Sequence, residues 1–404
     1  MSLQVDPSQP TAFKVAIPDD EVARMVRLIG DTRLPDQPFV SEASWDYGVD
    51  LKWLKEMKDK WLNEFDWKEV ERKMNEWEHF KVRIEGVDLH YIHVRSARED
   101  AVPILLSHGW PGSFWEFNRV IEPLTNPPPG QPAFHVVIPS LPGFGFSSSP
   151  PKKEWSMGDN ARIFDYLMTG VLGYPAYMAQ GGDWGAFITS FLGSADFPAC
   201  KMVNLNMLNG PPSTRALLTL PLLFLPTTWR EWIYSKIYTE QELQDLSRSF
   251  AFLKSGLGYF LQNNTRPLTI GYVLYDNPVG ILAWIGEKYK EHVDPTILPD
   301  RLHDILVTVS LYYLSGTAHT SGLPYKENNH LFKEKRHITE PYGISRFPYD
   351  IFLNPLSWVT KNNPGEVVLV RRHDRGGHFA ALEVPDLLVG DLREMVAGHW
   401  KRLV

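Results

Sequence analysis

The chain has 404 residues, of which 43% are hydrophobic and 22% are charged, and its formal net charge is −7. This composition is typical of a globular enzyme, and the length suits one large core that carries an insertion. The acidic balance, with no block of Lys and Arg, argues against a nucleic-acid partner. The single cysteine, Cys200, excludes an intramolecular disulfide, and its apolar neighbours favour a buried structural role over a nucleophilic one.

Residues 1–80 are predicted to form an N-terminal helical extension that packs on the core. Asp19 and Asp20 can cap a helix that runs through Leu28. An apolar stripe over residues 51–65 predicts a second helix. Nothing in this part of the sequence indicates a chemical role.

Neither a targeting signal nor a membrane span is predicted. Residues 1–18 are polar and lack the apolar segment of a signal peptide. The most apolar run, Ala216–Trp229, contains two prolines and is shorter than the about 20 residues that span a bilayer. Because one cysteine also suits a reducing compartment, we expect a cytoplasmic location.

A change of pattern near residue 81 predicts the start of an α/β core. Val82–Val94 alternates around Gly86, as two paired strands do. Short apolar runs with turn residues between them then suit buried parallel strands separated by crossover helices. These runs are Ile104–Leu106, Val136–Ile138, Tyr177–Ala179 and Val367–Val370. We predict a mostly parallel central sheet flanked by helices, built from residues 81–210 and 333–404, with a helical cap at residues 211–332.

The strongest chemical signal is the segment Gln180–Ala186, which follows a predicted buried strand. Small residues around one polar residue at a strand-to-helix turn are the pattern of a nucleophile elbow, whose strained backbone requires glycine. The central residue is Asp183. A carboxylate is ionised at neutral pH and attacks saturated carbon without a base, which gives an alkyl ester of the enzyme. An ordinary helix N-cap is an equally good interpretation of Asp183 alone.

A histidine and a second acid follow downstream. His378 lies on a Gly-rich loop after the strand at Val367–Val370, where an α/β-hydrolase carries its late histidine. His373 is a rival without preceding glycines, and we place it at the end of the strand. Asp350, which lies 28 residues before His378, is the candidate for orienting the imidazole, since Asp374 is too close in sequence. The order nucleophile, acid, histidine is that of the α/β-hydrolases. A turn residue is the alternative role for Asp350.

A third glycine-rich segment, His108–Ser113, follows the strand at Ile104–Leu106. Such a loop can direct the backbone N–H of Trp110 beside that of Trp184, and two such donors form an oxyanion hole. The Trp110–Pro111 bond is a candidate for the cis form. An ordinary turn is the alternative. No cluster of side chains has the spacing of metal ligands, so we expect no metal and no cofactor.

The ordered set of motifs resembles that of the microsomal-type epoxide hydrolases, including soluble fungal members. The resemblance runs over nearly the whole chain and rests on Asn63–Lys68, His79–Lys81, Ile84–Gly86, His108–Ser113, Gly181–Gly185 and Gly376–Ala381. It implies an α/β-hydrolase fold and an enzyme that converts epoxides to vicinal 1,2-diols. The reaction implied passes through a covalent aspartyl ester, which histidine-activated water then hydrolyses. The catalytic residues it implies are Asp183, His378 and Asp350, with Trp110 and Trp184 as backbone donors.

The resemblance also selects two tyrosines in the cap from the 16 in the chain. Tyr259 and Tyr325 match the pair that hydrogen-bonds the ring oxygen of the epoxide in this family. The implied partners are a small apolar epoxide and water, and fungal relatives suggest a homodimer. Mammalian relatives begin with a membrane anchor that residues 1–18 do not resemble, so the membrane attachment of those relatives is not carried over to this chain.

Two other functions are compatible with parts of this pattern. A haloalkane dehalogenase has the same fold and also places Asp followed by Trp at the elbow, but the paired tyrosines favour an epoxide. A non-catalytic scaffold that binds an apolar ligand would not need Asp183, His378 and Asp350 together. A serine esterase is disfavoured because an aspartate occupies the nucleophile position.

Overall fold

The computed structural model describes residues 9–208, 234, 236–328 and 337–404. Within these residues the strands are β1 (Thr11–Phe13), β2 (His79–Ile84), β3 (Val87–Val94), β4 (Val102–Ser107), β5 (Phe134–Pro139), β6 (Tyr177–Gly181), β7 (Cys200–Leu205), β8 (Tyr342–Arg346) and β9 (Val367–Arg372). They form one sheet in the order β1-β2-β3-β5-β4-β6-β7-β8-β9. Strands β4 to β9 pair in parallel, and β1, β2 and β3 add an antiparallel edge.

The described helices surround this sheet and also occur in the segment between β7 and β8. In chain order they are α1 (Asp19–Asp31), α2 (Leu51–Asn63), α3 (Trp67–Met74), α4 (Ile121–Thr125), α5 (Met157–Tyr166), α6 (Asp183–Leu192), α7 (Glu240–Ala251), α8 (Gly258–Thr265), α9 (Pro267–Tyr275), α10 (Pro278–His292), α11 (Leu302–Leu314), α12 (Leu323–Glu327), α13 (Leu356–Thr360), α14 (Ala380–Glu383) and α15 (Pro385–His399). None of these helices combines the length and apolar character needed to cross a membrane. The apolar run Ala216–Trp229 lies outside the described residues.

Both faces of the sheet are buried. Successive side chains of a strand point to opposite faces, so Leu105 of β4 belongs to one apolar cluster while Ile104 and Leu106 belong to another. Helices α5 and α6 supply residues to the first cluster, and α15 supplies residues to the second. The prediction of a mostly parallel sheet between helical layers is confirmed.

The predicted strand pair at Val82–Val94 is a hairpin made by β2 and β3. Its two-residue turn consists of Glu85 and Gly86, with φ angles of 48° and 81°. Positive φ at both central residues is the geometry that matches the twist of a hairpin, and it explains the glycine. The prediction that the strands alternate around Gly86 is therefore confirmed.

Three details differ from the sequence predictions. The first 80 residues are not wholly helical, because Thr11–Phe13 pairs with β2, which itself begins at His79. Helix α1 has no side-chain cap and continues to Asp31; its acidic residues lie in the first turn, where they favour the helix dipole. The strand at Val367–Val370 is not fully buried, because among the described strands β9 is the last of the sheet and pairs with β8 alone.

The N-terminal helices contact the helices that follow β7. The indole Nε1 of Trp61 in α2 donates to Ser310 Oγ of α11 at 3.0 Å. Trp53 packs so closely on α10 that a Cβ added to Gly286 would lie 2.5 Å from its ring. Arg24 of α1 forms an ion pair with Asp276, directly after α9. Residues 9–80 therefore brace α9, α10 and α11.

The strand order reverses at β4, which lies between β5 and β6. Ser107 at the end of β4 is in register with Gly181 at the end of β6. The loops that leave these two parallel strands therefore start side by side, at the kind of switch point where open α/β sheets bind ligands.

Candidate active site

The turn after β6 holds Asp183 in a strained backbone conformation. Asp183 has a φ of 51°, a region that few residues other than glycine adopt. A Cβ at Gly185 would lie 1.9 Å from the carbonyl oxygen of Ser107, and one at Gly181 would lie 2.3 Å from the carbonyl oxygen of Gly185. The N-cap of α6 is Gly182, so Asp183 is the first helical residue and not the cap. Its geometry is that of a nucleophile elbow.

The loop after β4 supplies a backbone donor to this carboxylate. The N–H of Trp110 donates to Asp183 Oδ1 at 2.8 Å. Gly109 is required for this approach, because a Cβ there would lie 2.2 Å from Asp183 Oδ1. The Trp110–Pro111 bond is cis, as the sequence suggested. Trp184 follows Asp183 in the first turn of α6, where backbone N–H groups have no partner within the helix.

His378 lies between two carboxylates. Its Nδ1 is 2.7 Å from Asp350 Oδ1, and its Nε2 is 3.3 Å from Asp183 Oδ2. The side chains of His378 and Asp350 are 2% and 0% exposed. The backbone N–H of His378 donates to the carbonyl oxygen of His292 at 2.9 Å, which fixes the loop that carries the ring. The structure thus brings together the three side chains that the sequence selected.

The rival histidine lies elsewhere. His373 Nε2 is 2.8 Å from Asp391 Oδ2, and its ring stacks on Phe347 with centroids 4.8 Å apart. The residue follows the last position of β9, Arg372, as expected. These contacts indicate a structural role at the edge of the sheet.

The two carboxylates set the charge of His378. Burial alone lowers the pKa of this imidazole, but the hydrogen bonds to Asp183 and Asp350 outweigh burial and raise the pKa to about 10. At neutral pH the free site therefore holds an imidazolium between two carboxylates. Loss of the charge on either carboxylate removes part of this stabilisation, lowers the pKa of His378 and favours the neutral imidazole, which is the form that can accept a proton.

Tyr259 and Tyr325 come from α8 and α12 and meet beside the two tryptophans that flank Asp183. They are 7% and 3% exposed, and their rings make an edge contact with centroids 5.8 Å apart. The Trp110 ring stacks on Tyr259 at 5.0 Å, and the Trp184 ring contacts Tyr325 edge-on at 4.9 Å. For both tyrosines burial is the main cause of a raised pKa, and the charge of Asp183 adds to it. Both hydroxyls therefore keep their protons at neutral pH and can donate them.

Glu116 is a residue near this site that the sequence did not single out. Its carboxylate packs on the Trp110 loop, since a Cβ at Gly112 would lie 2.0 Å from Glu116 Oε2. Burial raises the pKa of Glu116 to about 8, and the charges of His378 and Asp183 act on it in opposite directions. The only signal in the sequence is its position three residues after Ser113, within the segment that follows the glycine-rich loop.

A resident metal has no evident ligands here. Across the described ranges there is no group of three or more His, Cys, Asp or Glu side chains that could hold a metal ion. The arrangement around Asp183 instead offers a carboxylate nucleophile, a histidine paired with an acid, one aligned backbone donor and two hydroxyl donors. These are the parts of a hydrolysis that proceeds through an alkyl ester of an enzyme carboxylate.

Two family models match the chain. Residues 10–117 match a model described as epoxide hydrolase N terminus, and residues 102–276 match a model described as alpha/beta hydrolase fold. A putative epoxide hydrolase of Stigmatella aurantiaca is 37% identical over 95% of this chain and 84% of its own length. Epoxide hydrolase 1 of Sus scrofa is 33% identical over 95% of this chain and 88% of its own length.

Solved structures of epoxide hydrolases also superpose on this chain. The structure of the Aspergillus niger epoxide hydrolase superposes with a TM-score of 0.84 at 36% identity and covers 98% of this chain and 97% of that chain. The juvenile hormone epoxide hydrolase of the silkworm Bombyx mori superposes with a TM-score of 0.85 at 27% identity and covers 99% of this chain and 96% of that chain. With its relatives matched over almost their whole length, the chain belongs to the epoxide hydrolase family of the α/β-hydrolase fold.

Proposed function

We propose that this protein hydrolyses small apolar epoxides to vicinal 1,2-diols through a covalent ester on Asp183. One observation carries the proposal. The Asp183 carboxylate lies between the Trp110 N–H and His378, and its charge acts on two buried tyrosines, Tyr259 and Tyr325, contributed by helices between β7 and β8. A nucleophile that needs no base and two proton donors together match the demands of opening a three-membered ether.

Ring opening uses Asp183 and the tyrosines. Asp183 Oδ1 is held by the Trp110 N–H, so Oδ2 is the oxygen that attacks a ring carbon. The new Oδ2–C bond forms as the C–O bond of the ring breaks, and the electron pair of that bond moves to the ring oxygen. Tyr259 and Tyr325 hydrogen-bond this oxygen, and one of them gives it a proton. The products are a neutral ester and a phenolate.

Formation of the ester prepares the second step. The ester has no charge, so the imidazolium of His378 loses one of the two carboxylates that raise its pKa. His378 then releases its proton, which restores the phenolate to phenol through solvent. The neutral imidazole, oriented by Asp350, can now take a proton from water. In this way ester formation converts His378 into the neutral base that ester hydrolysis requires.

Hydrolysis returns Asp183 to its carboxylate form. The activated water attacks Cγ, and the negative charge that develops on Oδ1 is stabilised by the backbone N–H groups of Trp110 and Trp184. The Cγ–Oδ2 bond then breaks and the remaining proton of the added oxygen passes to Oδ2, so Oδ2 leaves in the diol and the oxygen of water stays in Asp183. No metal or cofactor takes part in this scheme.

A single turnover in heavy-oxygen water tests the proposal. The wild-type enzyme in excess over a styrene oxide probe should place the label in Asp183 and not in the first diol. His378→Gln should accumulate the ester, because the water then has no base, and peptide mass spectrometry should locate it on Asp183. His303→Gln, which changes an exposed histidine, is the matched control and should turn over normally. Label that enters the first diol directly would contradict the ester.

The paired tyrosines favour an epoxide over a haloalkane. An alkoxide is a poor leaving group near neutral pH and needs a proton, whereas a halide leaves without one. Changing Tyr259 and Tyr325 together to Phe should therefore abolish ring opening while the fold is kept. Release of halide from haloalkanes by the wild-type enzyme, without diol formation from epoxides, would instead support a dehalogenase.

We also propose the finer assignments that the sequence suggested. The helices between β7 and β8 act as a cap over the sheet, within the predicted boundaries of residues 211–332, and residues 1–80, 81–210 and 333–404 form the other three units. A homodimer and a cytoplasmic location remain predictions. Sedimentation of the purified protein and its location in a fractionated cell test them.

A further inference from the structure

A buried ammonium lies against the ring of Tyr259. Lys288 of α10 is 3% exposed, and its Nζ is 4.6 Å from the centroid of the Tyr259 ring. Lysine side chains are seldom buried this deeply unless they are paired, because removing an ammonium from water is unfavourable. Lys288 is paired with Glu287, the preceding residue of the same helix.

The Tyr259 ring is held on both faces. The Trp110 indole stacks on it with centroids 5.0 Å apart and an angle of 16° between the rings. Because a stacked indole fills one face, the ammonium of Lys288 lies against the other. The ring therefore has an aromatic neighbour of the oxyanion loop on one side and a cation on the other.

Apart from Lys288, the charged groups named below make loss of the Tyr259 hydroxyl proton less favourable. Burial and the charge of Asp183 are the main causes that raise its pKa, and Glu291 and Glu287 act in the same direction. A cation on the ring face acts in the opposite direction, because it attracts the negative charge that a phenolate spreads over its ring more strongly than it attracts the neutral phenol.

The carboxylate of Glu287 does not cancel this attraction fully. Its side chain is 25% exposed, compared with 4% for that of Lys288. Both residues line an open cleft of about 490 Å³ that reaches Tyr259 from the solvent side. Water in this cleft screens the carboxylate more than the ammonium, since the ammonium is the more deeply buried partner.

We propose that Lys288 is a positioning residue for ring opening, whose ammonium holds the Tyr259 ring against Trp110 and stabilises the phenolate that forms when Tyr259 gives its proton to the ring oxygen. The step balances without another reactant, since the proton moves from Tyr259 Oη to the former ring oxygen and the phenolate later regains a proton that originates from His378. This inference rests on the proposed function.

Single-turnover rates of Lys288→Met test the inference, with styrene oxide as the probe. Ester formation should slow by about tenfold to a hundredfold, while the rate of ester hydrolysis and the Kd of the epoxide change little. Lys288→Arg keeps a cation and should stay within about threefold of wild type. A smaller defect is expected with trifluoromethyl oxirane, because its less basic alkoxide needs less proton donation; a purely structural role would affect both epoxides equally.

Glu287→Gln gives a test of opposite sign. Loss of the counter-charge leaves the ammonium to act on Tyr259 alone, so ester formation should be as fast as in wild type or faster. Glu287→Gln tests the role of Lys288 even if Lys288→Met does not fold. Slower ester formation in Glu287→Gln, or an unchanged rate in folded Lys288→Met, would overturn the inference. If the wild-type enzyme forms no ester on Asp183, it is the proposed function that fails.

Discussion

The acid beside His378 gives the sharpest quantitative prediction. Asp350 Oδ1 accepts hydrogen bonds from His378 Nδ1 and from the Ile351 N–H, each at 2.7 Å. In Asp350→Asn the amide oxygen can keep both bonds, so the change removes a charge and leaves the geometry. Unit charges about 4 Å apart interact by about 4 kcal/mol at an effective dielectric constant of about 20. The imidazolium that forms as water is activated loses this stabilisation, so ester hydrolysis should slow by roughly a thousandfold.

Ring opening should respond much less to the same substitution. Asp183 attacks as a carboxylate that is already ionised, so its rate should fall by less than about tenfold. Rapid quenching followed by mass spectrometry should show a stoichiometric burst of ester and then slow turnover. Asp374→Asn, at an exposed position of the loop that carries His378, is the matched control and should behave as wild type. Equal losses in both steps would refute the separation of roles between Asp350 and Asp183.

Three further predictions concern packing and protonation. Gly109→Ala should abolish ester formation, because the added Cβ would lie 2.2 Å from Asp183 Oδ1. Its control, Gly390→Ala in α15, adds a Cβ that meets open space, so this variant should keep its activity and have a higher Tm. The reversed pattern in activity and melting assays would contradict both expectations. Cys200 is 0% exposed and burial raises its pKa, so a thiol reagent at pH 8 should modify the denatured chain but not the native one. Burial lowers the pKa of His108 to about 4 in the folded protein. The contribution of His108 to the free energy of unfolding is therefore complete above pH 6.5 and is lost as the pH falls toward 4. A urea midpoint that does not fall between pH 6.5 and 4 would contradict this prediction.

The chemistry at the end of β6 could be predicted from the sequence because the backbone there tolerates few residue types. Gly181 and Gly185 allow contacts that a Cβ would block, and their spacing around Asp183 is fixed by the turn. The Gly-rich loop before His378 gives a similar local signal. Such signals depend on a few consecutive residues, so no knowledge of the distant chain is needed.

The parts that the sequence could not reveal depend on contacts between distant segments. Tyr259 and Tyr325 have no local signature, because their position depends on how α8 and α12 meet, and only the family resemblance selected them. Strand β8 was not predicted, since it contains a glycine and the buried Arg346, whose charge is paired with Asp245 from α7. The partial exposure of β9 follows from its place at the edge of the described sheet. The apolar run Val367–Val370 predicts a strand but does not indicate whether that strand lies at the edge or in the centre.

The contacts between the N-terminal helices and α9, α10 and α11 bear on protein engineering. A chimera that receives only the segment between β7 and β8 from another family member would lose the partners of Trp61, Trp53 and Arg24. It would also disturb α10, the helix that carries Lys288. Exchange of substrate preference between homologues should therefore succeed when residues 9–80 and α9–α11 come from the same parent.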